Sequence, residues 1–389
     1  MGFLNAHRCR TATPFAVVAI VLWISGCRGG YLERPWQIDH GDWPVVARTF
    51  DRQYRVASDS LALPATPLWT FEAGAGVSAQ PLVVDSVVIV ATLKGVVYLL
   101  SCATGEEQRS INLGKPIASS PAVSDSMMFV GLASGSEQLV AVDLLRGSVA
   151  WRIASGPMEA SPSLVNDVLI VPTLGGRVLG IDAATGAERW VFAPKPSRGR
   201  TPFRGTPAIK DSTAFVPCDD GTLFAISVTD GTQRWASSVE GSLFGSPLIA
   251  GDRVMVASTT GTVACFETQS GKQLWTAVVG GAVYANLSTD GSQLYVSTAS
   301  REVCAIDIHT GSERWRAHGN GPLACAVAFN DAVIVGSLDR TLVSRSARDG
   351  EVRWQMEGEG RFRVAPVVSQ GLFIVVTDDR RVTAYGMPQ

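Results

Sequence analysis

The sequence predicts an all-β chain folded as an eight-bladed β-propeller with four antiparallel strands per blade, and three observations predict it. A unit of about forty residues recurs from Leu68 to the C-terminal end. Within each unit, apolar runs only four to six residues long are bounded by turns rich in glycine and aspartate, the pattern of strands and not of helices. The two ends of the repeat region complement each other in a way that closes a ring.

The repeat is clearest in GIDAATGAERW (180–190) and AIDIHTGSERW (305–315). Aligned on Gly-x-x-x-Trp, the copies are Gly147/Trp151, Gly186/Trp190, Gly231/Trp235, Gly271/Trp275, Gly311/Trp315 and Gly350/Trp354. Gly105 keeps the glycine but has Arg109 in the tryptophan position, and Trp69 opens the series without a preceding turn. The intervals between register positions are 40, 42, 39, 45, 40, 40 and 39 residues, enough for four short strands and their turns.

Each unit has one order. A strand of small residues comes first, as in Ser119-Ser120-Pro121, Ala160-Ser161-Pro162 and Gly245-Ser246-Pro247. A more apolar strand follows, such as Val168–Val171 or Val254–Ala257. A turn comes next, at Gly175-Gly176, Asp220-Gly221 or Thr260-Gly261, and then a third strand. The third strand runs into the Gly-x-x-x-Trp turn. The glycine supplies a positive φ, and Asp143, Asp182 or Asp307 four residues before it can accept from the turn amides. Trp69, Trp151, Trp190, Trp235, Trp275, Trp315 and Trp354 fall on the fourth strand, where a flat ring can dock one blade on the next. Arg189, Arg234, Arg314 and Arg353 precede four of them; a charge on an outermost strand discourages pairing with other molecules. The last unit runs out after its third strand, near Val382–Tyr385, while Leu68-Trp69-Thr70-Phe71 is a fourth strand with no unit before it. Pairing the two closes the ring, and counting inner strands gives eight blades.

The segment before the repeat divides in two. Residues 1–26 read as an export signal: Arg8 and Arg10, then an apolar run from Phe15 to Ile24, too short for the ~20 residues of a membrane-spanning helix. The run ends in Ile24-Ser25-Gly26-Cys27, which resembles the lipobox of bacterial lipoproteins and makes Cys27 the expected lipid-bearing residue. Two or more acyl chains would hold the protein stably at a bilayer. Arg28, where an aspartate would favour inner-membrane retention, points to the periplasmic side of the outer membrane. Residues 27–67, with Gly29-Gly30 and four prolines, read as a tether. Trp36 and Trp43 within it either pack on the domain's own surface or meet a partner. Residues 68–389 form the propeller.

The repeat resembles the tryptophan-docking motif A-x-D-x-x-T-G-x-x-x-W of the quinoprotein (PQQ-like) propellers. Two branches of that group compete. The BamB-type outer-membrane assembly lipoproteins resemble this chain in length, anchor and blade number; that resemblance implies a non-enzymatic scaffold with a protein partner, a component of outer-membrane barrel assembly. The quinone-dependent dehydrogenases would imply pyrroloquinoline quinone with calcium, an adjacent cysteine pair and an aspartate base. This chain has no Cys-Cys, and its seven cysteines include no CxxC pair. Cys102, Cys218, Cys265, Cys304 and Cys325 lie in or beside strands and read as core thiols; His40, His309 and His318 have no metal-type partner nearby in sequence. No catalytic, cofactor or metal residue is therefore assigned. A formal charge of −2 and 17% charged residues give no basic footprint for nucleic acid, and nothing calls for more than a monomeric propeller.

Two features are candidate working surfaces. The longest interval carries Arg189, Lys195, Arg198, Arg200, Arg204 and Lys210 without an acid among them, stiffened by Pro194, Pro196 and Pro202. Lys195, Arg198, Arg200 and Arg204 suit an acidic protein surface, or are simply a solvated loop. Glu159, Arg204, Phe244, Tyr284 and Arg363 share one register position and would ring a channel mouth, as a ligand site or a wet funnel. The readings carried forward are a membrane-anchored scaffold, a quinone-dependent dehydrogenase or its degenerate relative, and a periplasmic ligand-binding or sensing propeller.

Overall fold

A computed structural model of the protein describes residues 32, 34–36, 55–56, 66–124, 126–195, 201–321, 323–329 and 331–387; of Arg55, Val56 and Cys325 it describes the backbone alone. Signal residues 1–26, Cys27, His40, Trp43, Arg198 and Arg200 lie outside these residues. The described chain is all-β: eight sheets, each with four antiparallel strands ordered from channel to rim. Blade 1 shows the plan, with strands Leu82–Val84, Val87–Ala91, Val96–Ser101 and Glu107–Asn112. Blade 2 runs from Ala122 to Ile153, blade 3 from Ser163 to Phe192 and blade 4 from Ala208 to Ser238. Blade 5 runs from Leu248 to Val278, blade 6 from Ser288 to His318 and blade 7 from Leu323 to Glu357. Blade 8 contributes three strands between Val367 and Gly386, and Pro67–Glu72 pairs with Arg381–Gly386 as its outermost strand, Trp69 opposite Ala384.

The middle strands are buried on both faces and are correspondingly valine- and isoleucine-rich: Val87–Ala91 and Val168–Pro172 have no exposed residue. Each sheet therefore packs both its faces against neighbouring blades, and the core is a series of inter-blade layers rather than one central mass.

The repeat motif forms the clamp between layers. At six junctions the tryptophan indole N–H donates to a main-chain oxygen of the following blade: Trp69 to Cys102 (2.8 Å), Trp151 to Ala183 (3.1 Å), Trp190 to Val228 (2.8 Å), Trp235 to Thr268 (2.9 Å), Trp275 to Ile308 (3.2 Å) and Trp315 to Ala347 (2.8 Å). The ring lies on the glycine of that blade's turn. At Gly231, with φ of 73°, an added Cβ would stand 2.5 Å from the Trp190 ring. The glycine thus serves two needs at once, a left-handed backbone and room for a neighbour.

Trp354 stands at the junction where the ring closes, between blades 7 and 8. The blade that follows it, blade 8, has no Gly-x-x-x-Trp turn, because its outermost strand comes from the other end of the chain. Trp354 is half-buried and packs against the apolar core that runs from blade 7 through blade 8 to blades 1 and 2.

Asp143, Asp182 and Asp307 accept turn amides at 2.8–2.9 Å. Arg189 and Arg353 also bridge the outer strand to Asp167 and Asp331 in the hairpin after the inner strand, so these arginines brace the blade as well as charge its edge.

Two faces result. The turn face carries the hairpins after the inner strands and the Gly-x-x-x-Trp turns. The mouth face carries the second hairpins and the inter-blade loops. Parts of the 27–67 segment lie on the propeller. Arg55–Val56 adds a fifth strand to blade 7, parallel to Leu323–Phe329 at its turn-face end. That inner strand has seven residues where the other blades have two or three, so its channel-side edge has backbone groups left to pair. Leu32 donates its amide to Leu144 O (2.8 Å), Arg34 pairs with Asp85 (2.8 Å), and Trp36 is buried in the same core that receives Trp354.

Candidate docking surface at the channel mouth

The small residues of the inner strands are what the channel neck requires. Adjacent backbones approach so closely that a Cβ on Gly205 would lie 2.8 Å from Gly245 O. The hydroxyls and amides beside these glycines stitch blade to blade. Thr206 Oγ1 accepts from Ser161 N (3.0 Å), Ser246 Oγ from Thr206 N (3.1 Å), and Asn286 Oδ1 from Ser246 N (2.8 Å). Ser120 Oγ donates to Gln80 O (2.8 Å), and Gln80 Nε2 donates to Ala365 O (3.3 Å). The neck is thus a belt of hydrogen bonds running across the blades, which makes the rim above it rigid.

Above the belt opens a cavity of about 400 Å³ lined by Gln80, Ser120, Glu159, Ser161, Tyr284, Asn286 and Arg363. Glu159, Arg204, Phe244, Tyr284 and Arg363 do stand around this one mouth. Arg204 Nη1 donates to Glu159 (2.6 Å) and its Nε to Asp219 (2.8 Å). Its guanidinium carbon also lies 5.7 Å from the Phe244 ring centre. Phe244 packs against Tyr284 with ring centres 5.7 Å apart and planes at 60°. Tyr284 is 58% exposed and Phe244 half-buried. Across the mouth, Arg363 pairs with Asp378 at 3.1 Å.

The charge pattern is more balanced than the basic stretch implies. Arg204 is absorbed by Glu159 and Asp219, and Arg189 by Asp167 and Asp182. Lys195 is exposed with no ion pair among the described residues. Asp219 was not singled out by sequence reasoning, although Asp219-Asp220-Gly221 is an unusually acidic version of its turn. Burial holds the Asp219 carboxyl above its ordinary range, and Arg204 only partly offsets this. Its Oδ1 has no hydrogen-bond partner among the described residues. The acid pair, Glu159 first, in turn holds the Arg204 proton more firmly.

A carboxyl raised in the folded state binds its proton more tightly there than in the unfolded chain, so stability falls as pH rises through that range. Arg204→Ala removes the cation that Glu159 and Asp219 share. The expected loss is about 1–2 kcal/mol at neutral pH. It should shrink as acid protonates both carboxyls. Urea unfolding of parent and variant at neutral and acidic pH measures it; a loss independent of pH would show that Arg204 acts by packing alone.

The described residues do not fit a quinone with its calcium ion. The neck oxygens of Gln80 and Asn286 are engaged in the inter-blade belt, and Glu159 is engaged by Arg204. No group of three or more His, Cys, Asp or Glu among the described residues is placed to hold a metal. No disulfide joins Cys102, Cys218, Cys265 or Cys304; all four are buried, and burial pushes the thiols of Cys218 and Cys304 up to about 12 and of Cys265 to about 11. His309 and His318 are exposed.

A family model described as outer membrane protein assembly factor BamB matches residues 62–201, 192–322 and 303–386. The chain belongs to the BamB family. BamB of Burkholderia pseudomallei (strain K96243) is 29% identical over 133 residues, a stretch that spans 33% of this chain and 34% of that protein. The crystal structure of BamB from Moraxella catarrhalis superposes with a TM-score of 0.73 at 20% identity, covering 83% of this chain and 99% of that one. The propeller itself is shared more widely. A europium-containing methanol dehydrogenase gives a TM-score of 0.76 at 13% identity over 89% of both chains. Quinohemoprotein alcohol dehydrogenase from Comamonas testosteroni gives 0.74 at 13%, over 90% of this chain and 82% of that one. The fold is therefore common to BamB and to dehydrogenases, and the family match separates them.

Proposed function

We propose that this BamB-family chain is a non-enzymatic scaffold in outer-membrane protein assembly, held on the periplasmic side of the outer membrane by lipidated Cys27, and that it docks a component of the assembly apparatus at the channel mouth. The observation that carries the docking site is the Phe244–Tyr284 pair. Two aromatic rings stand at the rim of a hydrogen-bonded neck, one of them 58% exposed, with Arg204 fixed beside them. Aromatic and arginine side chains on a rigid support are the groups that dominate protein–protein binding energy, because they bury a large area while losing little conformational freedom. Arg204 keeps its own carboxylates in the free protein, so its part is to hold Phe244 in place and to present the uncommitted edge of its guanidinium. Lys195, Arg198 and Arg200, which precede it in the sequence, add positive charge that would favour an acidic partner.

The test is photo-crosslinking in the cells that make the protein. A photoreactive residue at position 284 should yield an adduct with an outer-membrane assembly component. The same residue at 274, on the outer strand of blade 5, should not. Adducts from 274 alone, or from neither position, would sink the docking site.

A further inference from the structure

Seven tryptophans stand at eight junctions, and the exception is between blades 1 and 2, where Arg109 occupies the tryptophan position. Arg109 is exposed and, among the described residues, donates to the neighbouring Gln108 O alone. At six other junctions the indole bonds the main-chain oxygen one residue beyond the turn's leading acceptor: Cys102, Ala183, Val228, Thr268, Ile308 and Ala347. The matching residue of blade 2 is Leu144, directly after Asp143. Its oxygen receives the amide of Leu32 at 2.8 Å. Trp36 is 4% exposed, against blade 1 beside Ser86, Val87 and Gln108. The N-terminal segment has taken over the clamp that Arg109 cannot make.

The described contacts of residues 32–67 with the ring are at the turn face. Leu32 meets the Gly-x-x-x-Trp turn of blade 2, and Arg34 meets the first hairpin of blade 1. Arg55–Val56 runs beside the end of the blade 7 inner strand that leads into its first hairpin. Pro67 begins its strand opposite Tyr385, at the end of that strand away from the mouth. Cys27 is five residues from Leu32, a reach of about 18 Å at full extension.

We infer that the N-terminal clamp orients the propeller on the membrane, with its turn face next to the bilayer and the Phe244–Tyr284 mouth turned away into the aqueous space. The inference rests on the reading of Cys27 as the lipidated residue. A leash of about forty residues would let either face approach the bilayer. A leash of five residues ending on one face does not. The mouth then stands farther out by a strand's length, about 17–20 Å, where a water-exposed partner can reach it.

Full-length lipidated protein in vesicles with acceptor-labelled headgroups tests this. A donor dye is placed through a non-natural amino acid at position 252, in the first hairpin of blade 5, or at position 94, in the second hairpin of blade 1. Energy transfer is expected to be several-fold stronger from 252 than from 94. Equal or reversed transfer, with the protein still floating with the vesicles, overturns the orientation. Leu32→Pro removes the amide that bonds Leu144 and leaves Cys27 intact; the difference between 252 and 94 should collapse while flotation persists. A difference that survives Leu32→Pro shows that the clamp does not set it. Cys27→Ser examines the premise separately. It should abolish flotation and the acyl mass on the N-terminal peptide. Flotation without that mass overturns the lipid reading, and this inference with it, by a readout independent of energy transfer.

Discussion

Gly231→Ala is expected to destabilise the propeller by about 3 kcal/mol or more, while Gly114→Ala costs about 1 kcal/mol. The two glycines have nearly the same backbone, with φ of 73° and 75°. Both substitutions therefore force an L side chain into the left-handed region. They differ in what the new methyl meets. At Gly114 nothing lies within 4 Å; at Gly231 the Trp190 ring lies 2.5–3.1 Å away. Relief would require Trp190 to withdraw, lengthening its 2.8 Å bond to Val228 O and opening the blade 3–blade 4 layer. The difference between the variants isolates the docking contribution from backbone strain. Urea unfolding of both measures it, and equal losses would show that the tryptophan does not need the glycine's empty side.

Phe244→Ala with Tyr284→Ala is expected to weaken partner binding at least 30-fold, about 2 kcal/mol, and to leave stability almost unchanged. The rings are packed on each other and on Arg204, above a neck whose hydrogen bonds come from other side chains. Removing them exposes no core. Leu243 and Val283, one residue earlier on each loop, are the buried members and stay in place. Titration of the purified variant against the crosslinked component, alongside its thermal transition, separates the two effects. Unchanged affinity would remove the aromatic pair from the interface. A transition lowered by many degrees would instead make it part of the fold.

The blades were legible because one physical requirement is repeated. A tight turn and a flat ring that rests on it need glycine and tryptophan at fixed separation, and each copy announces the same contact. Trp69 and the strand near Val382–Tyr385 were legible as partners because each was half of a unit. Arg109 was legible as a lost tryptophan, but its replacement was not. Leu32 acts through its backbone amide, which no residue type advertises, and residues 27–67 share no period with the blades. The mouth was legible as a register of five positions, since equivalent places in a ring converge on its axis. Its charge balance was not. Asp219 reaches Arg204 from a turn fifteen residues on, and only the fold brings that turn back beside it.

The closing strand has a consequence for how the molecule is made. Thr70 and Thr383 meet across 313 residues of chain. The ring cannot be finished until its last strand has emerged, and until then blade 8 lacks its rim and Pro67–Glu72 has no partner. Such distant pairing is slow, because the loop it closes is almost the whole protein. Through that interval the nascent molecule is an open fan with strand edges at both ends, ready to join to another copy of itself. A chain built this way depends on being kept apart from its siblings between the moment its first blade forms and the moment its last few residues arrive.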